Sequence, residues 1–346
     1  MEKYREVQEF LGEGAFGKVA KCSKLGSQEM YAIKIITHVE EGMEEFESMK
    51  LIKALDPDEN HLIKMYECFS FQNMICLVFE ILEESLEDFL NKNKCKATPL
   101  TYVRAIAQQM FQALQALKSI GVVHCDIKLD NIMFADKQSL KFKLIDFGLA
   151  LETEELSTDT DVKIDIQVNP FRAPEVILGL PLDESVDMWA LGMVLACVYR
   201  GNYIFPPKSE YETIRAMVQI FVRNKNHVIN FDAMIDQHRD TYEMHDVVDH
   251  KAFFDLLKRI LEVNPQRRIT PSQALEHDFI TMKHLSEKRF NTTSTGARTP
   301  LILLPPVMPK FPHQMVAFDH WRHLLCHAFP NKPFCKNELI KDKKSG

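Results

Sequence analysis

The first 80 residues carry short apolar runs that predict β-strands. The runs MYAIKII (30–36) and ICLVFE (75–80) are bounded by Gly, Ser and Asn, which is typical of strands in an antiparallel sheet. One acidic segment, EEGMEEFESMKLIKAL (40–55), interrupts them. Its apolar residues near helical spacing are Met43, Phe46, Leu51 and Leu55. The pattern therefore predicts a small, mostly antiparallel sheet that carries one helix.

After Glu80 the hydrophobic period changes from strand-like to helical. The three-and-four spacing of an amphipathic helix is followed by Val103, Ile106, Ala107, Met110, Leu114 and Leu117. Gly121 lies where such a helix is expected to stop. Two strand-like stretches follow, NIMFA (131–135) and KFKLID (141–146). Further apolar helices are expected at 185–200, 210–223, 250–262 and 271–280. The run at 188–199 predicts a helix that is buried on all sides.

These patterns predict an α+β protein with two lobes, a small antiparallel-sheet lobe with one helix and a larger, mainly helical lobe. We place the small lobe at 1–80, the large lobe at 81–286 and a C-terminal tail at 287–346. Beyond Glu287 the chain becomes rich in Pro, Thr and Arg, which is typical of a linker or an extended tail.

Composition and charge narrow the class of function. The 346 residues are 46% hydrophobic and 26% charged, which is ordinary for a globular protein. The formal net charge of -7 argues against direct binding to nucleic acid or to anionic membranes. The charged N-terminus shows no secretory signal, and the longest apolar run is short of the roughly 20 residues of a membrane span. With eight scattered cysteines and no CxxC pair, we expect reduced thiols and a nuclear or cytoplasmic location.

The glycine-rich segment GEGAFGKV (12–19) fits three phosphate-binding patterns. A dinucleotide fingerprint needs a helix at its end, and a Walker loop needs Ser or Thr where Val19 stands. The third pattern is a hairpin whose glycine turn covers nucleotide phosphates. Strand, turn and strand follow Gly17 without a helix, which favours the hairpin. A glycine-rich hairpin without a ligand stays an alternative.

Lys34 stands alone among apolar residues in the strand MYAIKII. A cation in that position is costly unless anionic partners are present. Nucleotide phosphates and the carboxylate of Glu47 would supply such partners. Alternatively, Lys34 is a solvent-exposed lysine on a strand, and Glu47 lies on the solvent-exposed face of an acidic helix.

The next motifs come in a fixed order along the chain. HCDIKLDN (124–131) follows the long helix, and DFG (146–148) follows the next strand. APE (173–175), DMWALG (187–192) and NPQRRIT (264–270) come further on. In this ordered set the sequence resembles the eukaryotic protein kinase family, from Phe10 to about Ile280. The resemblance implies a bilobal kinase fold and transfer of the γ-phosphate of ATP to protein hydroxyls, with Mg²⁺ as the metal.

The resemblance also implies roles for single residues. Asp126 would orient the substrate hydroxyl and accept its proton, and Lys128 matches the serine/threonine-directed pattern. Asn131 and Asp146 would hold Mg²⁺. Lys34, paired with Glu47, would bind the phosphates. The remaining cofactor-binding residues implied are Leu11, Gly12, Gly14, Gly17, Val19, Ala32, Phe79, Glu80, Leu82 and Met133. Of these the three glycines cover the phosphates, Val19, Ala32 and Met133 sandwich adenine, Phe79 closes the back of the pocket, and Glu80 and Leu82 form the hinge between the lobes.

Other motif residues are expected to be structural, among them Asp187, which opens the buried helix and should anchor the catalytic loop through its backbone. Glu175 and Arg268 resemble the buried ion pair of the family's large lobe. His124 is expected to pack beneath the catalytic loop rather than carry a proton. Cys125, beside Asp126, is either a small apolar filler or a reactive thiol.

Several segments look like homeodomain-interacting protein kinases and their dual-specificity tyrosine-regulated relatives, among them CLVFEILEESLEDFL (76–90). That likeness implies protein substrates among transcriptional regulators, and Arg172 matches the residue that shapes a pocket for proline after the target. Three departures matter. Cys125 replaces the arginine of most kinases, which the subfamily also lacks, and Asp165 stands where the subfamily has an activation-loop tyrosine. The third is that Asn169, Pro170 and Phe171 replace the usual arginine and two tyrosines. A fixed charge at Asp165 that replaces phosphorylation, or simple drift, would each explain the second departure.

The leading alternative is a pseudokinase or scaffold that binds partners and transfers nothing, against which the retained Lys34, Glu47, Asp126, Asn131 and Asp146 argue. A dinucleotide oxidoreductase is disfavoured by the hairpin after Gly17. We expect a monomer.

Overall fold

The computed structural model describes residues 4–14, 17–24, 28–156, 166–205, 209–221 and 244–286. The N-terminal part is a five-stranded sheet in the order β1-β2-β3-β5-β4, with every neighbouring pair antiparallel. Its strands are β1 (Tyr4–Gly14), β2 (Gly17–Lys24), β3 (Met30–Ile36), β4 (Met65–Phe71) and β5 (Met74–Phe79). The glycine segment forms the β1–β2 hairpin, which ends on the pair Gly14–Gly17. The predicted small sheet is confirmed.

Helix α1 (Val39–Leu51) joins β3 to β4 and packs on the sheet. Its buried residues are Gly42, Glu45 and Met49. Met43, which the sequence placed on the apolar stripe, is 40% exposed. A Cβ atom added at Gly42 would lie 2.5 Å from Cβ of Ile75 on β5, so a glycine is needed where the helix crosses this strand. The buried stripe is rotated by one residue from the predicted one.

The large lobe is mainly helical. Its helices are α2 (Leu86–Lys92), α3 (Leu100–Ser119), α4 (Thr153–Leu156), α5 (Pro174–Ile177), α6 (Ser185–Arg200), α7 (Glu210–Phe221), α8 (Met244–Ile260), α9 (Pro271–Leu275), α10 (Asp278–Thr281) and α11 (Lys283–Ser286). Short 3₁₀ turns lie at Ile52–Ala54, Leu129–Asn131 and Pro265–Arg267. The prediction of a single helix at 271–280 is wrong, because two short helices, α9 and α10, occupy this segment. The side chain of His277 accepts a hydrogen bond from the amide of Phe279 and starts a new helix there.

The core of the large lobe is built around α6. Every residue from Val186 to Tyr199 is buried, as the apolar run predicted. A Cβ added at Gly192 would lie 2.5 Å from a methyl group of Ile260 on α8, so the glycine allows a close helix crossing. Gly201 ends α6 in the left-handed conformation, with φ 79°.

Two small strand pairs complete the frame of the site. β6 (Val122–Val123) pairs with β9 (Leu151–Glu152), and β7 (Ile132–Asp136) pairs with β8 (Lys141–Leu144). The motifs HCDIKLDN and DFG come directly before β7 and after β8, so both lie at one end of this hairpin. In the part of the chain that is described, none of the helices has the length and apolar character of a membrane span.

Candidate active site

Lys34 on β3 is the centre of a charge cluster that joins the two lobes. Its Nζ lies 2.7 Å from Oε1 of Glu45 on α1 and 3.0 Å from Oδ1 of Asp146 beyond β8. The Lys34 side chain is 17% exposed. Burial disfavours its charged form, but the carboxylates of Asp146 and Glu45 outweigh burial and raise the pKa of Lys34. The lysine is therefore an ammonium ion held between two acids.

The prediction that Glu47 is the partner of Lys34 is wrong. Its carboxylate bonds Lys50 Nζ at 2.6 Å and is 59% exposed. Glu45 is the partner because it shares the buried face of α1 with Gly42 and Met49, whereas a residue two positions on is rotated by about 200°. The spacing of Glu45 from Gly42 and Met49 was the sequence signal that could have shown this.

The carboxylate of Asp126 is oriented by two neighbours. Lys128 Nζ donates to Oδ2 of Asp126 at 2.6 Å, and Nδ2 of Asn131 donates to the same oxygen at 2.9 Å. Nδ2 of Asn131 also donates to the backbone oxygen of Asp126 at 2.8 Å. The 3₁₀ turn Leu129–Asn131 brings the amide back over the aspartate. Three predicted site residues thus meet around one carboxylate.

Asp187, at the start of α6, holds this loop from below. Its two carboxylate oxygens accept the backbone amides of His124 at 2.7 Å and Cys125 at 3.0 Å. Cys125 has a left-handed backbone with φ 66°, which is strained for a residue with a side chain. Burial raises the pKa of Asp187, and these amide hydrogen bonds oppose that effect.

His124 uses both ring nitrogens in packing the loop. Nδ1 accepts the amide of Asp126 at 3.2 Å, so Nε2 carries the hydrogen that is donated to the carbonyl of Ile145 at 3.0 Å. The ring packs edge-on against Phe147, with centroids 4.8 Å apart. The arrangement agrees with the structural role expected for His124.

Asn131 and Asp146 lie side by side at the end of the β7–β8 hairpin. The amide of Ile145 donates to the carbonyl of Asn131 at 2.9 Å, next to the pair Ile132–Leu144. Since Nδ2 of Asn131 is bonded to Asp126, its Oδ1 is the atom available to a cation. Burial raises the pKa of Asp146, but Lys34 outweighs it and the net effect is a lowered pKa. These two oxygen donors fit Mg²⁺.

A metal at this position would need ligands from outside the protein. Among the described residues, no three His, Cys, Asp or Glu side chains cluster as a metal site. Mg²⁺ commonly takes one or two protein oxygens and completes its shell with phosphates and water. Asn131 and Asp146 offer the number of protein oxygens that Mg²⁺ commonly takes.

The sheet register brings the predicted pocket residues together. Val19 pairs with Lys34, and Ala32 pairs with Phe79. Leu11, Gly12 and Gly14 are on β1, and Leu11 is 47% exposed. A Cβ at Gly17 would lie 2.1 Å from the carbonyl oxygen of Ile35, so only glycine fits beside β3.

The segment after β5 connects the two lobes. Glu83 and Glu84 exchange backbone hydrogen bonds with Phe134 on β7, and Ser85 forms an isolated bridge with Met133. These bonds place Met133 beside the segment that contains Leu82. Oε1 of Glu80 accepts hydrogen bonds from the Lys64 amide and from Lys143.

Comparison with known proteins agrees with this geometry. The family described as protein kinase domain matches residues 5–280. The chain belongs to the protein kinase family. The resemblance from which the fold was predicted is confirmed, and so is the two-lobed kinase fold.

Named relatives place this kinase domain more narrowly. Homeodomain-interacting protein kinase 1 of Mus musculus is 35% identical over 81% of this chain and 28% of its own length. The protein of the same name in Caenorhabditis elegans is 34% identical over 82% of this chain and 41% of its length. Serine/threonine-protein kinase ppk15 of Schizosaccharomyces pombe is 30% identical over 81% and 62%. The chain thus spans between about a quarter and three fifths of these relatives.

The activation segment of this kinase is held at its C-terminal end by Arg172. Its Nε and Nη2 donate to the carbonyl of Gln167 at 3.0 and 2.5 Å, and Nη1 donates to Glu210 Oε1 at 2.6 Å. Gln167 has a left-handed backbone with φ 63°, which turns its carbonyl toward the arginine. Asp165, where a fixed charge was considered, lies outside the described residues.

The expected ion pair of the large lobe is present. Arg268 donates to Glu175 through Nη1 at 2.5 Å and Nη2 at 3.0 Å, and both side chains are almost fully buried. The guanidinium also bonds backbone oxygens of Glu262 and Ser185. The pair ties α5 to the segment before α9 and takes no part in the charge cluster around Lys34.

Proposed function

We propose that this chain transfers the γ-phosphate of Mg-ATP to serine and threonine hydroxyls of proteins. The observation that carries the proposal is the contact of Lys34 with both Glu45 and Asp146, which brings the phosphate-binding lysine and the metal-binding aspartate together. Phosphoryl transfer depends mainly on positioning and on neutralising charge that develops on the phosphate oxygens. This cluster provides a cation and an anchored carboxylate for that purpose.

Asp126 is assigned as the residue that orients the substrate hydroxyl and accepts its proton. Lys128 and Asn131 both bond Oδ2, so Oδ1 is the oxygen assigned to the hydroxyl. Lys128 is also assigned to neutralise charge on the transferred phosphate. Serine and threonine have short side chains, so the substrate must approach Asp126 closely for its hydroxyl to make an in-line attack.

Asn131 and Asp146 are assigned as the ligands of magnesium. When bound, Mg²⁺ would neutralise negative charge on the phosphates. The protein supplies Oδ1 of Asn131 and the carboxylate of Asp146, while Lys34 keeps that carboxylate ionised. Backbone amides of the glycine hairpin at Gly12, Gly14 and Gly17 cover the phosphates in this proposal.

Adenine is assigned to the space between the five-stranded sheet of the small lobe and the β7–β8 pair of the large lobe. Leu11, Val19 and Ala32 form its roof, Met133 its floor and Phe79 its back wall, and the backbone of Glu80 and Leu82 binds its edge. The lobe limits 1–80 and 81–286 follow from this assignment, since the connecting segment begins after Phe79.

A preference for proline after the target residue is supported by Gln167. Its carbonyl already accepts two hydrogen bonds from Arg172, so it is a poor acceptor for an amide of the substrate. A substrate N–H left unpaired there costs about 1–3 kcal/mol, and proline has no N–H. Peptides with proline after the target should therefore be phosphorylated about tenfold more efficiently than matched alanine peptides. Equal kcat/KM for the two peptides would contradict this part.

The partners and location are proposed from the likeness to the relatives. Protein substrates among transcriptional regulators and a nuclear or cytoplasmic location fit homeodomain-interacting protein kinases, as does a monomeric domain. Binding to nucleic acid or membrane is not part of the proposal. Phosphopeptide profiling with the purified chain would test the substrate class directly.

The activity is tested by transfer of labelled phosphate from ATP to a basic protein substrate. Wild-type protein should transfer phosphate, and Asp126→Asn should reduce the rate by at least 10²-fold. Equal signal from both proteins would indicate a contaminating kinase. If the wild type binds ADP but transfers nothing, the pseudokinase alternative is the correct one. The presence of Lys34, Glu45, Asp126, Asn131 and Asp146 argues against that outcome.

A further inference from the structure

Behind the hinge lies a buried lysine that the proposed chemistry does not use. Lys143 is on β8, and its side chain is only 8% exposed. Its Nζ lies 2.6 Å from Oε1 of Glu80 and 2.6 Å from Oδ1 of Asp58. A buried ammonium requires such anionic partners, because desolvation is not repaid otherwise.

Glu80 is held from both lobes at once. Its Oε1 accepts the backbone amide of Lys64 at 2.7 Å as well as Lys143, and its own amide donates to the Lys64 carbonyl at 3.1 Å. Lys64 directly precedes β4 of the small lobe, whereas Lys143 belongs to the large lobe. The first residue after β5 is thus fixed between β4 and β8.

The third member, Asp58, is attached to the large lobe rather than to α1. It lies in the segment after the turn Ile52–Ala54, and that segment docks on β8 by two backbone bonds. The amide of Leu144 donates to the carbonyl of His61 at 2.8 Å, and the amide of Ile63 donates to the carbonyl of Leu144 at 2.9 Å. The hydrogen bond from Lys143 is the main cause of a lowered pKa at Asp58.

β8 also leads to the other end of the proposed nucleotide site. Asp146 follows Lys143 by three residues and bonds Lys34. Adenine is assigned to the hinge and the triphosphate to Lys34 and Asp146, so the position of the hinge relative to β8 sets how well both ends of one nucleotide fit together. Lys143 is the side chain that links these two elements.

We propose that Lys143 is a positioning residue for nucleotide binding, which acts through Glu80 to fix the hinge backbone relative to β8 and Asp146. The inference rests on the proposed kinase function. Loss of the ammonium leaves the Glu80 carboxylate with the Lys64 amide as its remaining partner in this cluster, and the hinge loses its tie to β8. Binding of a whole nucleotide then weakens, while the groups around Asp126 keep their arrangement.

The test compares wild type with Lys143→Met and Lys143→Arg. Lys92→Met is the matched control, because Lys92 also bonds a glutamate, Glu84, at 2.6 Å but its side chain is 70% exposed. Lys143→Met should raise the Kd for ADP and the KM for ATP about tenfold, within the range seen for residues that couple two sites, and should change kcat by less than about twofold. Lys143→Arg should recover part of the affinity, and Lys92→Met should behave as wild type.

Binding of ligand fragments separates positioning from general damage. Adenosine and inorganic tripolyphosphate each occupy one end of the site, so Lys143→Met should affect their Kd values much less than that of ADP. Circular dichroism and Tm show whether Lys143→Met folds; if it does not, Glu80→Gln, which removes the carboxylate of the pair, decides by the same measurements.

Two results would overturn the proposal. One is an unchanged Kd for ADP in a folded variant that lacks the Lys143–Glu80 pair, and the other is an equal loss of affinity for adenosine and ADP. Failure of the kinase proposal itself looks different, because wild-type protein would then fail to bind ADP or to transfer phosphate.

Discussion

Replacing Gly42 by alanine should separate helix propensity from catalytic geometry. In an exposed helix this change usually stabilises a protein by about 1 kcal/mol. At Gly42 the new Cβ would lie 2.5 Å from Cβ and 2.8 Å from Cγ1 of Ile75. Carbon atoms in contact prefer about 3.5–4.0 Å, so α1 must move away from β5 by about 1 Å.

The losses of stability and of activity that this movement of α1 should cause can both be estimated. Overpacking of this kind costs about 1–3 kcal/mol, which reverses the sign expected from propensity. Glu45 follows Gly42 by three residues on the same buried face and lies 2.7 Å from Lys34. A 1 Å shift lengthens this contact to about 3.7 Å, beyond hydrogen-bond distance, and a displacement of that size costs about 10²-fold in rate.

The assay is kcat for peptide phosphorylation together with Tm of the folded protein. Glu44→Ala is the matched control, because Glu44 is an exposed residue two positions along the same helix. We expect Gly42→Ala to lower both Tm and kcat and Glu44→Ala to leave kcat unchanged. A Gly42→Ala variant with raised Tm and wild-type kcat would refute the reasoning about the close approach of α1 and β5.

Three further predictions follow from the contacts around the site. Glu45→Gln should lower kcat at least tenfold whereas Glu47→Gln should leave it unchanged, since only Glu45 bonds Lys34; equal kinetics of the two variants would contradict the corrected assignment. The pKa of Asp146 is lowered in the folded protein, so the ionised carboxylate stabilises the fold. This stabilisation is complete above the ordinary aspartate pKa of about 3.9. It is lost as the pH falls through the lower pKa of Asp146 in the folded state. Urea unfolding should therefore show wild type losing stability relative to Asp146→Asn as the pH is lowered from about 5 to below about 3.9, and parallel curves would be the contrary result. Glu175→Gln leaves Arg268 buried without its acid and should cost about 3–5 kcal/mol, measured as a fall in the free energy of unfolding; a loss below 1 kcal/mol would show that the pair is dispensable.

The sequence predicted the parts of the fold that depend on local pattern. The strands around Lys34 and the buried helix at 185–200 are marked by apolar runs, and their observed bounds agree closely. The ordered motifs brought Asp126, Asn131 and Asp146 into one site. Each of these features lies within a short stretch of sequence, so a local pattern is enough to find it.

The errors arose where several residues fit the pattern equally well. α1 contains five glutamates, and the choice among them depends on which face packs on β5. Only the small residue Gly42 reveals that face, and small residues carry little hydrophobic signal. The contact of Lys143 with Glu80 and Asp58 joins positions 63 and 85 residues apart, and no periodicity connects them.

The burial of Cys125 has a consequence for the design of covalent inhibitors. A thiol one residue before Asp126 invites the idea of an electrophile attached to a ligand of this site. The side chain is fully buried, its Sγ lies 3.7 Å from the carbonyl oxygen of Val123, and burial raises the pKa of the thiol well above its usual range. Because the thiolate is the reactive form, Cys125 is a poor target for an acrylamide delivered to this site, and selectivity over other kinases has to come from shape and hydrogen bonding.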